Sequence, residues 1–416
     1  MFIQISDNLK QLSTFFPENL YIVGGYVRNK LMGIDESDVD ITSSVDIEEV
    51  SKRLKESQFS VKIKSLKFGS LLISKDGEEY EYTVFRKDIY EDDGRHAPTR
   101  VERTDSIVVD SNRRDFAINA IYYNINKDEI VDIHHGMVDL FQRIIRCDKP
   151  DEVLKYDGER ILRMVRIAGE LDFRIDKQTL ACAEKYASNI KAISGNRKKL
   201  EIEKILHCDK RYNLNKGSLK RALGLLNKLN VWQYFGLKEK KVKYQMVYKV
   251  ENRMLGLLID IVDTEQPACL QAFLEKWLSK QMGLEDEVLS QYIKYLSGYY
   301  HALEGMKNKE YFFRYFDDWN CICPLLAGKS KRIQNKYNFF YKYIIEHNLL
   351  IKVEDLKSDD LVIKKSFPKI DPRSYGRILT NLLSKVFDGK LQNQKASLLN
   401  EIKKNLQNYW FFAKFQ

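Results

Sequence analysis

The sequence predicts an α+β fold, in which a mixed sheet with helices in the N-terminal third is followed by an all-helical remainder. Three observations lead there. Up to about Lys149, short runs rich in branched and aromatic residues alternate with amphipathic stretches, the signature of strands mixed with helices. From Asp151 onward the strand signals nearly vanish and apolar stripes at helical spacing take over. Seven prolines in 416 residues, with abundant Lys, Glu, Leu and Ile, suit long helices.

The first informative stretch is Leu20–Ser43. Leu20 to Val23 has strand length and composition, Gly24-Gly25 follows, and Tyr26–Met32 reads as a short helix closed by Gly33. A second strand carries Asp38-Val39-Asp40, and strand alternation puts both carboxylates on one face. Two carboxylates side by side repel unless a cation lies between them, which makes a hard metal such as Mg²⁺ the natural occupant. Gly24-Gly25 at a helix start lets a phosphate approach backbone N–H groups, and Arg28 adds a charged donor one turn in. Taken alone, Gly-Gly is a common turn and D-x-D a common solvated strand edge. In this order they suggest a metal beside a triphosphate, hence phosphoryl or nucleotidyl transfer.

Ile47–Glu56 reads as a helix, and Gly69–Ser74 and Glu79–Phe85 as strands. Glu81 is either a third acid beside Asp38 and Asp40 or a solvent-facing edge residue. Lys87–Arg103 is polar, aperiodic and carries Gly94 and Pro98; it reads as a mobile loop and contains Asp93 and Arg95. Next, Arg113, Arg114, Asp115 and Asn119 flank apolar Phe116, Ile118 and Ala120, as if one helical turn buries one side and offers the other to a ligand. Arginine clamps phosphate in bidentate fashion, while Asp115 and Asn119 suit ribose hydroxyls. An exposed salt-bridged turn is the plainer alternative.

In Tyr156–Phe173, Ile161, Leu162, Val165 and Ala168 form a helical apolar stripe, with Asp157 and Arg160 on its flank and Arg163 and Arg166 winding further round. Ile193–Leu206, with Ser194 as N-cap, and Lys216–Leu229 read as basic amphipathic helices, and Asn252–Val262 and Cys269–Lys280 as buried ones. Lys329–Tyr343 interleaves cations with aromatic rings, as an RNA-gripping surface or a helix with one aromatic core face would.

The net charge of +10 favours an anionic partner, nucleic acid or membrane surface. No apolar run reaches the roughly twenty residues that span a bilayer, and Met1–Leu12 lacks the pattern of a secretory signal. Of the six cysteines only Cys321 and Cys323 are close, without clustered His, so reduced structural thiols in a cytoplasmic protein are expected.

In order, these pieces resemble the class II tRNA nucleotidyltransferases, the family of CCA-adding enzymes and bacterial poly(A) polymerases, whose head is of the polymerase β-like type. Gly24-Gly25-Tyr26-Val27-Arg28 is similar to the family's G-G-x-V-R-D, and Asp38-Val39-Asp40 to its metal-binding D-x-D. Arg113 to Ala120 resembles R-R-D-F-T-I-N-A, the sugar and phosphate contact, and Asp157 to Arg163 resembles the base-reading E-D-x-x-R-I-L-R. Ser194 to Glu201 is similar to S-x-E-R-x-x-x-E, and Tyr375–Leu379 through Gly389–Asn393 to a tail segment that helps hold the tRNA elbow. The chain departs from these patterns at Asn29 (usually Asp), Ala117 (Thr), Tyr156 (Glu) and Asn196 (Glu).

The resemblance implies template-independent addition of CCA to the 3′ end of tRNA from CTP and ATP, with Mg²⁺ on Asp38 and Asp40. Gly24, Gly25, Arg28, Arg113, Arg114, Asp115 and Asn119 would hold the triphosphate and sugar, Asp157 and Arg160 would read the base, and Arg163 and Arg166 would support the pocket or the triphosphate. It also implies a head over 1–147, a base-binding neck over 148–212, a body over 213–300 and a tRNA-binding tail over 301–416. The Arg86–Arg95 stretch has the length that CC-only enzymes lack, and the basic C-terminal extension of poly(A) polymerases does not follow the tail motif. CCA addition is therefore expected over CC-only, A-only or poly(A) synthesis, and over an RNA-binding protein on a degenerate scaffold.

Overall fold

The computed structural model describes residues 3–34, 38–90, 98–214 and 217–405. Packing divides the chain into two compact units, Met1–Tyr244 with Asp260–Asp286, and Gln245–Ile259 with Glu287–Gln416. These units are coarser than the four segments expected: 1–147 and 148–212 share the first unit, and 213–300 is divided between the two.

The first unit is built on a seven-stranded mixed sheet in the order β3-β4-β5-β2-β1-β8-β9. Its strands are β1 Tyr21–Val23, β2 Val39–Ser43, β3 Ser60–Ser65, β4 Ser70–Lys75, β5 Glu78–Val84, β8 Ile121–Asn124 and β9 Glu129–Asp132. Between β5 and β8 in the chain, β6 Arg86–Ile89 and β7 Arg100–Arg103 form a separate antiparallel ribbon. The β2–β5 pair is parallel and all other pairs of the large sheet are antiparallel. Helices α1 Asp7–Ser13, α2 Gly25–Leu31 and α3 Ile47–Leu54 put Leu9, Leu12, Val27, Val50 and Leu54 into one core with Ile22, Ile41, Leu71, Tyr82 and Ile121 of the sheet. Alternation sends Val23 and Tyr122 to the other face, where they pack with Phe85. The same alternation puts Asp40 on that second face.

The ends of Lys87–Arg103, expected to be loop, are thus strand. The ribbon escapes a pattern reading because its strands, R-K-D-I and R-V-E-R, carry charge on both faces and bury no apolar row. Asp93 and Arg95 lie outside the described residues. Strand β3 (SVKIKS) alternates over only two apolar residues, of which Val61 packs on the core and Ile63 is exposed, too short a pattern to mark a strand.

Beyond β9 the first unit is nearly all helical. It contains α4 Ile107–Asn112, which precedes β8, then α5 Gly136–Gln142, α6 Pro150–Val153, α7 Gly158–Leu171, α8 Lys177–Tyr186 and α9 Gly195–Leu206. One late pair of strands, β10 Ile144–Ile145 and β11 Arg174–Ile175, runs parallel and stitches the head segment to the helices after it. Helix α7 is buried along Ile161, Leu162, Val165 and Ala168, the apolar stripe expected from the sequence, and also at Met164. Gly158 at its start lies so close to Asn189 and Ile190 that a Cβ there would come within 2.5 Å of backbone. Ser194 occupies the N-cap position of α9, but its side chain makes no capping bond.

The second unit is helical, with an aromatic core of Tyr311, Phe312, Trp319 and Tyr337 and an aliphatic one around Ile363, Ile378, Leu382, Leu398 and Ile402. All six cysteines are free thiols. Among the described residues, no helix is long and apolar enough to cross a membrane.

Candidate active site

Strand pairing builds one end of the site. Tyr122, Val23, Asp40 and Glu81 lie in one row across β8, β1, β2 and β5, on the sheet face away from the α1–α3 core. The chain then turns at Gly24, whose φ of 85° and ψ of −142° only glycine adopts without strain; a Cβ would also sit 3.3 Å from Asp40 Oδ2. This brings the start of α2 against the Asp40 carboxylate. The result is one wall of a cleft of about 380 Å³.

The cleft collects the residues singled out by their motifs. Gly24, Gly25, Arg28 and Asp40 come from the opening stretch, Arg113, Arg114, Asp115 and Asn119 from the turn before β8, and Asp157, Arg160, Arg163 and Arg166 from α7 and its cap. With Glu159 also lining it, six arginines face four acids, so the cavity favours an anion. Asp38 is exposed just before β2.

Each arginine is held by a neighbour rather than left to solvent. Asp110, fully buried at the end of α4, accepts from Arg113 Nε at 2.8 Å and from Arg114 Nη2 at 3.0 Å. It also accepts from the Tyr122 hydroxyl at 2.7 Å. Burial opposes the charge on Asp110, but the Arg114 and Arg113 guanidiniums outweigh it and hold the carboxyl at about 2. Asp115 accepts from Arg163 Nε and Nη2 at 2.9 and 2.7 Å and from Asn119 Nδ2 at 3.0 Å. Desolvation works against its charge too, yet Arg163 keeps it well below the usual carboxylate range. Arg166 is clamped between Glu170 (3.0 Å) and Glu201 (2.9 Å).

Arg28 is different. Its donors go to neutral groups: Asn119 Oδ1 at 2.7 Å, Asn29 Oδ1 at 2.8 Å and the Tyr212 hydroxyl at 3.4 Å. Burial lowers its pKa, which is the expected effect on a buried cation whose nearest partners are uncharged. Asn29 thus replaces a carboxylate with a neutral acceptor, and its Nδ2 donates to Tyr212 at 3.0 Å.

Asp157 is the N-cap of α7, accepting from Glu159 N at 3.0 Å, and its other oxygen lies 3.3 Å from Arg160 Nε. Arg160 Nη2 donates to the Tyr90 hydroxyl at 3.1 Å. The Tyr156 ring stacks on Tyr90, and its hydroxyl accepts from Lys155 Nζ at 3.0 Å. Asn196 packs against the Gly283 backbone, and Arg197 pairs with Glu159 at 2.7 Å.

Asp40 keeps solvent contact, yet the cleft walls desolvate it. That burial, together with the Glu81 and Asp38 charges and against the pull of Arg114, pushes its pKa up to about 6. A bound divalent cation would relieve this crowding, so the donor set fits a hard metal. Glu81 is Asp40's neighbour in register, but its Oε2 accepts from Lys64 Nζ at 2.7 Å. Among the described residues no three His, Cys, Asp or Glu side chains converge as a ready-made metal cluster. The metal reading rests on Asp38 and Asp40.

Sequence reasoning passed over Asp110, Glu170, Tyr212 and Tyr90. For Asp110 a signal existed: it precedes Arg113 and Arg114 by three and four residues, the spacing of neighbours on a helix. Glu170 stands likewise four after Arg166. Tyr212 and Tyr90 reach the site from distant segments, and spacing does not reveal them.

Residues 20–146 match the model of the Poly A polymerase head domain, and residues 172–216 that of the probable RNA and SrmB-binding site of polymerase A. The CCA-adding enzyme of Streptococcus thermophilus is 37% identical over 188 residues, a stretch that spans 45% of each chain. That of Ligilactobacillus salivarius is 25% identical over 413 residues, 93% of each. The crystal structure of the Bacillus stearothermophilus CCA-adding enzyme in complex with CTP shares the fold, with a TM-score of 0.73 at 21% identity over 96% of this chain and 98% of that one. The Thermotoga maritima CCA-adding enzyme complexed with tRNA aligns with a TM-score of 0.58 at 20% identity, over 97% and 96%. A head segment that matches the Poly A polymerase head domain, followed in sequence by a segment that matches the probable RNA and SrmB-binding site of polymerase A, is thus joined to a fold shared with CCA-adding enzymes over nearly the whole chain.

Proposed function

We propose that the protein adds CCA to the 3′ end of tRNA from CTP and ATP without a nucleic-acid template. One observation supports this reading: a single cleft holds Asp40, Arg28, Arg113 and Arg114, and the Asp157–Arg160 pair. A nucleotide can therefore present its α-phosphate to one end and its base to the other.

Arg28 and Arg114 bind the triphosphate, and the backbone N–H groups opened by Gly24 and Gly25 add donors without side-chain bulk. Asn119 and Asp115 face the sugar. Asp157 accepts from an exocyclic amine while Arg160 donates to a ring nitrogen. Cytosine (N4 amine, N3) and adenine (N6 amine, N1) satisfy both, whereas uracil and guanine present a carbonyl and a ring N–H in those places. Each mismatch leaves a polar group unpaired in a closed site, at about 1–3 kcal/mol. The RNA 3′-oxygen bonds to the α-phosphorus as the bond to pyrophosphate breaks, and the hydroxyl proton is released. Asp38 and Asp40 would hold Mg²⁺, which supplies Lewis-acid stabilisation to the attacking and leaving oxygens when bound. A tRNA substrate agrees with the basic charge and with work in the cytoplasm.

The test uses tRNA ending at the discriminator base, Mg²⁺, and CTP, ATP or both, with the product ends sequenced. Addition of CCA supports the proposal. CC alone, a single A on CC-ended tRNA, or poly(A) tails would each select another activity of the family, and no addition would favour an RNA-binding role.

A further inference from the structure

The nucleotide cleft has a neighbour. A second cavity of about 510 Å³ lies between the β6 end, α4 and α6, and shares Arg113 and Arg160 with the first. Its walls include Tyr90, Tyr156, Val109 and Val153. Arg160 therefore stands between two cavities, and what holds it decides where its donors point.

Two groups hold it. Asp157 lies at Nε, and the Tyr90 hydroxyl accepts from Nη2. The guanidinium has five N–H donors in a rigid plane, so fixing one edge by two contacts fixes the direction of the rest. Tyr90 comes from the residue after β6, far in sequence from α7, and its ring is fixed by Tyr156, which stacks on it with centroids 5.4 Å apart and planes 14° from parallel. Tyr156 directly precedes the α7 N-cap, so this stack ties the ribbon end to the base-reading turn. A phenol accepts a hydrogen bond without neutralising the guanidinium, which keeps its charge for a ligand.

We propose that Tyr90, steadied by Tyr156, is a positioning residue for Arg160 and thereby sets how strictly the cleft rejects bases that carry a ring N–H. This rests on the base-reading role of Arg160 given above. Without the Tyr90 hydroxyl the guanidinium can swing into the second cavity, and uracil or guanine then meets no fixed donor.

The experiment measures single-turnover incorporation of each of the four nucleotides on tRNA lacking CCA, with separate kcat and KM, for the full-length protein and three variants. Tyr90→Phe keeps the ring and removes the hydroxyl; it should narrow the preference for CTP over UTP about tenfold, the size of one hydrogen bond's discrimination. Its thermal midpoint should be unchanged. Tyr156→Leu, which removes the stack, should narrow the preference in the same direction, and Tyr156→Phe should restore it. A uniform fall for all four nucleotides, or an unchanged CTP-to-UTP ratio in Tyr90→Phe, would overturn the inference while leaving the proposed activity in place. A wild-type protein without any preference for CTP and ATP would remove the base-reading role and this inference with it.

Discussion

Asp40 and Asp110 are two carboxylates of one head whose electrostatics are opposite in sign. Asp40, raised to about 6 by burial and like charges, is disfavoured as an anion in the metal-free fold. Its folded pKa exceeds the unfolded value of about 3.9, so the metal-free protein loses stability from this group as pH rises from about 4 through 6. Mg²⁺ should therefore raise the thermal midpoint clearly at pH 8 and little at pH 5, and Asp40→Asn should abolish both that increment and incorporation; an increment equal at both pH values, measured by calorimetry, would contradict the assignment. Asp110 behaves the other way. Its lowered pKa contributes stability that is complete above about pH 4 and is lost as pH falls toward about 2. Asp110→Ala leaves two largely buried guanidiniums without their acid and should cost about 3–5 kcal/mol in urea unfolding at neutral pH. The KM for nucleotide should rise with it, because Arg113 and Arg114 lose their anchor.

Helix α7 carries packing on one face and, under the proposed activity, base recognition at its start. Its inner face is the buried stripe, and its first residue beyond the cap must be glycine to lie against Asn189. The cap itself is Asp157, which satisfies the Glu159 N–H while facing the cleft. The two roles separate by substitution. Asp157→Ala removes both and should cost about 1 kcal/mol of stability as well as base choice. Asp157→Asn keeps an oxygen for the cap, so its stability should stay close to wild type while its C/A preference falls. Equal destabilisation by the two substitutions in chemical denaturation would show that the capping bond contributes nothing.

On the scale of the whole chain, charge is distributed by task. The cleft concentrates arginines that are locked by buried acids, whereas the helix Lys331–Glu346 in the second unit leaves its cations in solvent. Tyr337 and Ile344 bury its inner side, and Phe339 and Tyr343 stand outside among Lys331, Arg332, Lys336 and Lys342. Of the two alternatives offered by the pattern, the aromatic core face is present at Tyr337, and the outer face is basic and aromatic, which makes its contact with RNA a prediction. Lys336→Glu with Lys342→Glu should weaken tRNA binding and flatten its salt dependence, by about 0.7–0.9 in the log–log slope for each phosphate that is no longer neutralised. Filter binding across a salt series measures this, and an unchanged slope would exclude the helix from the RNA surface.

Sequence alone determined the α+β order, the Gly24–Asp40 turn, the Arg113–Asn119 stretch and the Asp157–Arg166 face, because each is local: strand alternation, helical spacing and glycine's backbone freedom act within a few residues. It does not reveal the charged β6–β7 ribbon, which buries no apolar row, or β3, where only Val61 of two alternating apolar residues packs on the core. Tertiary structure alone decided that Glu81 spends its carboxylate on Lys64, that Arg28 rests on neutral Asn29 and Tyr212, and that Tyr90 reaches Arg160. Those interactions join segments separated by 17, 184 and 70 residues, the neighbouring Asn29 apart. The physical reason is that a side chain's partner is set by where the fold brings distant segments together, which spacing along the chain does not encode.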